Sequence, residues 1–118
     1  MKILIPVDED KKDVCVSFAR APYFMTYNDT DNKTELIENI AASAQGGAGL
    51  VAAQFVVDQE ADVLITVRCG ENAAQVLQAA EVEIYRSTAE DAMENIELFK
   101  ENKLAKLTHF HAGFHGIR

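Results

Sequence analysis

The run Val63-Leu64-Ile65-Thr66-Val67 is almost wholly apolar and is bounded by Asp62 and by Arg68-Cys69-Gly70. A strand of this kind has no polar face to turn to water, so it belongs inside a sheet covered on both sides. The next two segments agree with that placement. Residues 71–80 place Ala73, Val76, Leu77 and Ala80 at i, i+3, i+4 and i+7, which predicts an amphipathic helix. Residues 82–85 alternate apolar and polar, as an edge strand does, and that edge is open to pairing with a second copy, giving a monomer or a weak homodimer. Strand, helix and strand in this order make a βαβ unit with parallel strands and a right-handed crossover.

The preceding half reads as a meander. Residues 3–7 form a buried strand, although Pro6 lacks the N–H a ladder needs. After the charged turn 8–13, residues 22–28 predict a second strand. The polar stretch 28–33 predicts a hairpin, and residues 34–40 a third strand. Gln45-Gly46-Gly47-Ala48-Gly49 is a glycine-rich entrance to a helix reaching residue 59. Ser87-Thr88-Ala89-Glu90 fits a capping box, and the helix it opens ends near 102 with Ala92, Met93, Ile96 and Phe99 as its buried stripe. The order β-β-β-α-β-α-β-α predicts an α/β fold of three layers: a mixed five-stranded sheet with helices on both faces. At 118 residues the chain is one domain that needs no covalent staple. A His-containing tail occupies 104–118.

Several functions are disfavoured. A net charge of −8 opposes nucleic-acid binding. No apolar run reaches the roughly 20 residues of a membrane helix, and the first residues lack the basic and apolar regions of a signal peptide, so a cytoplasmic protein without membrane contact is expected. Cys15 and Cys69 are far apart and form no CxxC pair. Asp8, Asp58 and Asp62 do not build a two-metal nuclease site, because Asp62 precedes its strand and lies at the opposite end from Asp8. Most other acids, such as Glu90, Asp91, Glu94, Glu97 and Glu101, read as a solvated face. No catalytic constellation is visible, and the protein is expected not to be an enzyme.

Ligands of such sheets collect beyond the carboxyl ends of the parallel strands. Three features should meet there: the turn after Val7, the glycines 46–49, and Arg68-Cys69-Gly70. The glycines can present bare N–H groups at a helix entrance, an anion site, or simply punctuate the chain. Their spacing is neither that of a P-loop nor of a dinucleotide fingerprint. Cys69 sits beside Arg68 at a helix entrance, where a depressed pKa would favour a metal-binding thiolate; the plain alternative is a small buried hydrophobe. Cys15 has weaker grounds for facing the same pocket. His109, His111 and His115 share parity, so an extended tail would turn all three one way, suiting a single transition-metal ion or merely gathering metal adventitiously.

Met1-Lys2-Ile3-Leu4-Ile5-Pro6-Val7-Asp8, Phe18-Ala19-Arg20-Ala21-Pro22-Tyr23-Phe24, Gly47-Ala48-Gly49, Ala61-Asp62-Val63-Leu64-Ile65 and Gly70-Glu71-Asn72-Ala73, in this order, resemble the dinitrogenase iron–molybdenum cofactor biosynthesis family, the NifX/NafY-type domain in its small stand-alone form. The resemblance covers residues 1–103 and leaves the tail 104–118 outside. It implies a ribonuclease H-like fold without nuclease activity, and a non-enzymatic binding or carrier role for an iron–sulfur or molybdenum-containing cluster passed between donor and acceptor proteins. By position, residues 18–24, 47–49 and 68–72 would line the pocket. Family members often carry His before the Phe of the first motif and Gly after it, where this chain has Ser17 and Ala19. Arg20, Gly47, Gly49 and Arg68 would form an anion cradle and Gly70 and Asn72 would also meet the cofactor, while Cys69, His109, His111 and His115 are candidate ligands on the chemistry of the residues themselves, which the family pattern does not supply. The rival expectation is a small regulatory or interaction module that binds a phosphate-like anion or a single metal ion.

Overall fold

A computed structural model describes residues 1–111. Five strands, β1 (Lys2–Val7), β2 (Tyr23–Asn28), β3 (Lys33–Glu38), β4 (Val63–Thr66) and β5 (Glu83–Arg86), form one sheet in the order β3-β2-β1-β4-β5. The first two pairings, β1 with β2 and β2 with β3, are antiparallel; β4 lies parallel to both β1 and β5. Only β2 therefore runs against the other four. The expected three-layer α/β architecture with a mixed sheet is present.

Alternation along β1 assigns the two faces. Leu4 joins Phe24, Leu64, Ala52, Val56 and Leu77 beneath α1 (Ala48–Asp58) and α2 (Glu71–Ala79). Ile3, Ile5 and Val7 join Val63, Ile65, Ala92 and Ile96 beneath α3 (Ala92–Lys100). A strand buried on both faces cannot carry a polar residue without a partner, which is why β1 and β4 read as continuous apolar runs. Pro6 is accommodated because β1 pairs with β4 at Ile3 and Leu4, before the proline is reached, and its carbonyl accepts from Cys15 N at 2.9 Å.

Two local expectations are corrected. The third strand ends at Glu38, not at 40. Buried Asn39 caps a 3-10 helix (Ile40–Ser43) by accepting from Ala41 N, and its Nδ2 donates to the carbonyls of Ala19 and Ala21. Residues 87–90 do not form a capping box. Val14 N donates to Glu90 O and Ala92 N to Lys12 O, which pulls this backbone into pairing with the 12–14 loop and delays the helix to Ala92. Fully buried Asn95 does the capping from inside the helix: Oδ1 accepts from Thr88 N and Ala89 N, and Nδ2 donates to the carbonyls of Ala89 and Asp91. It occupies the inward stripe, while Met93, expected there, is 40% exposed.

The segment after α3 returns to the sheet. Leu104 and Leu107 are buried, Arg86 N donates to Ala105 O, Leu107 N donates to Ile84 O, and Tyr85 and Lys106 form an antiparallel bridge. The β5 edge expected to be open to a second copy is thus occupied by the chain itself. Among the described residues no helix is long and apolar enough to cross a membrane.

Asn95→Ala should cost about 2–3 kcal/mol, since it strands several inward-facing backbone groups of the 88–91 loop. Urea unfolding followed by circular dichroism would show this as a lowered midpoint with an unchanged slope; a midpoint equal to wild type would contradict the capping role.

Candidate functional site

Strand direction decides what meets at the site. β1, β3 and β4 all end at one edge of the sheet, and β2 begins there. The segment leading into β2, the helix that follows β3, and the loop after β4 must therefore converge. They enclose a cavity of about 610 Å³ lined by Val16–Ala19, Gly47–Leu50, Arg68–Gly70, Asn72, Ala73 and His111.

The cavity floor is apolar. Phe18 is buried and meets Phe24 edge to face at 5.9 Å, while Cys69, Ala48 and Ala73 are also buried. The rim holds Val16, Leu50, Arg68, Asn72 and His111, all exposed. Two helix entrances open on this space. Gly47 caps α1 at φ +62, a left-handed conformation that glycine adopts without penalty, and no side-chain cap competes for the first N–H groups of α1. Gly70 caps α2. The lining contains Arg68 and no carboxylate, although the whole chain carries a net charge of −8. Such a wall of amide donors, one guanidinium and apolar carbon favours an anion with a polarisable surface.

The predicted residues sort unevenly. Gly47, Gly49, Arg68, Cys69, Gly70, Asn72 and His111 are brought together. Arg20 is not: its Nη1 donates to the carbonyls of Ala42 and Ala44, at 3.1 and 2.6 Å, and so braces the end of the 3-10 helix. It lines a second hollow with Asp8, Glu9, Asp10, Cys15, Pro22 and Ala42. The turn after Val7 and Cys15 thus face this neighbouring acidic depression and not the glycine-lined cavity. His109 is exposed and does not line the cavity, and His115 lies outside the described residues. Among the described residues, no three His, Cys, Asp or Glu side chains gather as a metal site.

Cys69 corrects a chemical expectation. Burial pushes its thiol from an ordinary 9.0 up to about 12, so it is a protonated thiol and not a thiolate. Its Sγ donates to Gly70 O at 3.5 Å. The neighbouring Arg68 is exposed and does not offset this desolvation. Burial first, and its hydrogen bond to Asp8 second, also raise the Cys15 thiol. Buried Thr66 turns the chain into the site by donating to Arg68 O.

The sequence did not single out Val16, Leu50 or Ala73 for the cavity, while Ala48 lies in the 47–49 turn expected there. Val16 enters because β2 begins at this edge of the sheet and the segment leading into it crosses the cavity, a placement that local residue patterns do not specify. His111 arrives by backbone pairing: its N–H donates to Cys69 O at 3.3 Å and its carbonyl accepts from Glu71 N at 2.9 Å. A Cβ built on Gly70 would lie 3.2 Å from His111 Cε1, so the ring packs closely against the glycine and would have to shift slightly for any side chain there.

A family model described as dinitrogenase iron-molybdenum cofactor matches residues 1–102. The apo form of the orange protein from Desulfovibrio gigas superposes with a TM-score of 0.82 over 90% of this chain and 92% of that one, at 24% identity, which speaks to the fold alone. A Thermotoga protein assigned as a NifB protein is 33% identical, with a TM-score of 0.76 over 95% of this chain and 97% of its own. A protein assigned as a dinitrogenase from Methanocaldococcus jannaschii is 25% identical, with a TM-score of 0.72 over 92% and 96%. No curated protein matches the chain.

At pH 8 native Cys69 should alkylate with iodoacetamide about a thousandfold more slowly than in the unfolded chain, the gap between 9.0 and about 12. Peptide mass spectrometry reads this directly. Because the folded pKa is the raised one, the unfolded chain loses its proton first, and the stability contributed is present below pH 9 and lost on going from there towards 12. Cys69→Ala should flatten that alkaline decline.

Proposed function

The chain belongs to the dinitrogenase iron–molybdenum cofactor family, which ties it to the biosynthesis or binding of that cofactor, and on this premise we propose that it is a non-enzymatic carrier of an anionic metallocluster in the cytoplasm. The observation that carries the reading is the contrast between a chain of net charge −8 and a cavity lined by Arg68, two helix entrances and no carboxylate. The ribonuclease H-like description belongs to the same proposal and is supported by the mixed sheet layered between helices.

In this reading Gly47, Gly49, Gly70 and Asn72 bring backbone donors against an iron–sulfur or molybdenum-containing cargo, and Arg68 neutralises part of its charge. His111 offers one exchangeable imidazole ligand. Cys69 offers a second only when the incoming metal displaces its proton, which makes that bond dependent on pH and readily reversed. Few protein ligands suit a carrier, because cargo held by several strong bonds would not pass to an acceptor protein. The same donors would also take a phosphate-like anion, the ground for the rival reading as a regulatory module.

Anaerobic titration with tetrathiomolybdate, a coloured molybdenum–sulfide dianion, tests the site. Wild type should bind about one equivalent, and Arg68→Glu should weaken binding about tenfold, equivalent to roughly 1.4 kcal/mol. Displacement by millimolar phosphate would favour the anion-binding module, and equal affinity in Arg68→Glu would remove the guanidinium from the cradle. Elemental analysis of untagged protein purified anaerobically from its native host should find molybdenum, or iron with sulfide.

A further inference from the structure

We infer that residues 108–111 form a latch that retains cargo in the cavity, an inference that rests on the cavity being the cargo site. The segment has a firm root and, beyond a stretch with no backbone hydrogen bond to the sheet among the described residues, a tip docked at Phe110 and His111. The root is fixed by buried Leu104 and Leu107 and by the hydrogen bonds of residues 105–107 to β5. Thr108 and His109 are exposed, and among the described residues no backbone hydrogen bond ties 108–110 to the sheet. What holds the tip is concentrated at its last two residues: half-buried Phe110 packs against the α1–α2 core, and the contacts of His111 include two backbone hydrogen bonds. Elements held by few buried contacts open at the low end of a protein's stability range.

Those two bonds flank Gly70 on either side, joining the tip to Cys69 and to the first residue of α2. One docking event therefore fixes the loop that carries the thiol, the start of α2 and the imidazole wall. The contact is also close: a Cβ at Gly70 would lie 3.2 Å from His111 Cε1, so a side chain there requires the ring to give way by a few tenths of an ångström. The His111 carbonyl occupies the N–H of Glu71, so the docked tip takes one donor from the cradle and supplies a wall in its place. With the tip docked, the cavity has the His111 side of its rim and holds cargo; with the tip lifted, it loses that side and cargo exchanges.

Stopped-flow release of bound tetrathiomolybdate tests the latch. Three chains are compared: the 118-residue protein, a chain ending at His111, and one ending at Leu107, which keeps both buried leucines. The chain ending at Leu107 should release the probe about tenfold faster, as expected from losing two hydrogen bonds and a wall. The chain ending at His111 should match the full protein. Equal rates in all three would overturn the latch and remove His111 from the ligands, while leaving the cavity as the cargo site. Fast release from the chain ending at His111 would overturn it too, by placing the effect beyond 111. No binding by the full protein would overturn both readings. If the shortest chain does not fold, Gly70→Ala in the full protein carries the test: faster release is expected, and unchanged release overturns the latch.

Discussion

The cavity exists because β1 and β4 lie side by side in the same direction. Their pairing at Ile3–Val63 and Leu4–Leu64 puts the carboxyl ends of both strands at one edge of the sheet. It also marks where the connections part, β1 continuing to β2 on one side and β4 to β5 on the other. Such a divergence leaves a crevice that no crossover fills. The hydrophobic effect supplies the force, since both strands are buried on both faces, and direction supplies the geometry. Chemistry at the site is borrowed from this arrangement: amide groups left over at helix starts, a thiol drawn in by its strand, and a ring delivered by a distant part of the chain.

Charge is divided between surface and site. The molecule as a whole repels free anions, but physiological salt screens that repulsion beyond about 8 Å. Inside the cavity, donors act at contact distance and against apolar walls, where screening is weak. The field thus disfavours casual encounter with small anions, while the cavity favours retention of whatever is placed in it. For the carrier role proposed above, that combination suits hand-over within a protein complex better than capture from solution.

Much of the fold is legible in the sequence, because it is written in local periodicity. Residues 63–67 and 71–80 announce a buried strand and an amphipathic helix in their own spacing. The glycine entrance and the 68–70 loop can be placed because a parallel strand points its end at the site. The features that sequence misplaces share a cause: they depend on partners distant in the chain. Arg20 is spent on carbonyls 22 and 24 residues away, and Asn95 outcompetes a well-formed capping box because the 12–14 loop claims the backbone nearby. The charge state of Cys69 escapes local reading for a similar reason, since neighbours in sequence suggest a thiolate and burial in space decides against one.

The strap along β5 has a bearing on how such molecules can associate. A sheet grows without limit only if each added unit presents a fresh edge after using one. Here one margin is covered by residues 105–107, and among the described residues β3 forms the other margin of the sheet, with Lys33, Glu35 and Glu38 along it. Two molecules meeting there through their backbones would exhaust what each has to offer. Residues 105–107 therefore steer any edge-to-edge contact away from β5 and towards the other margin of the sheet, without a dedicated guard residue.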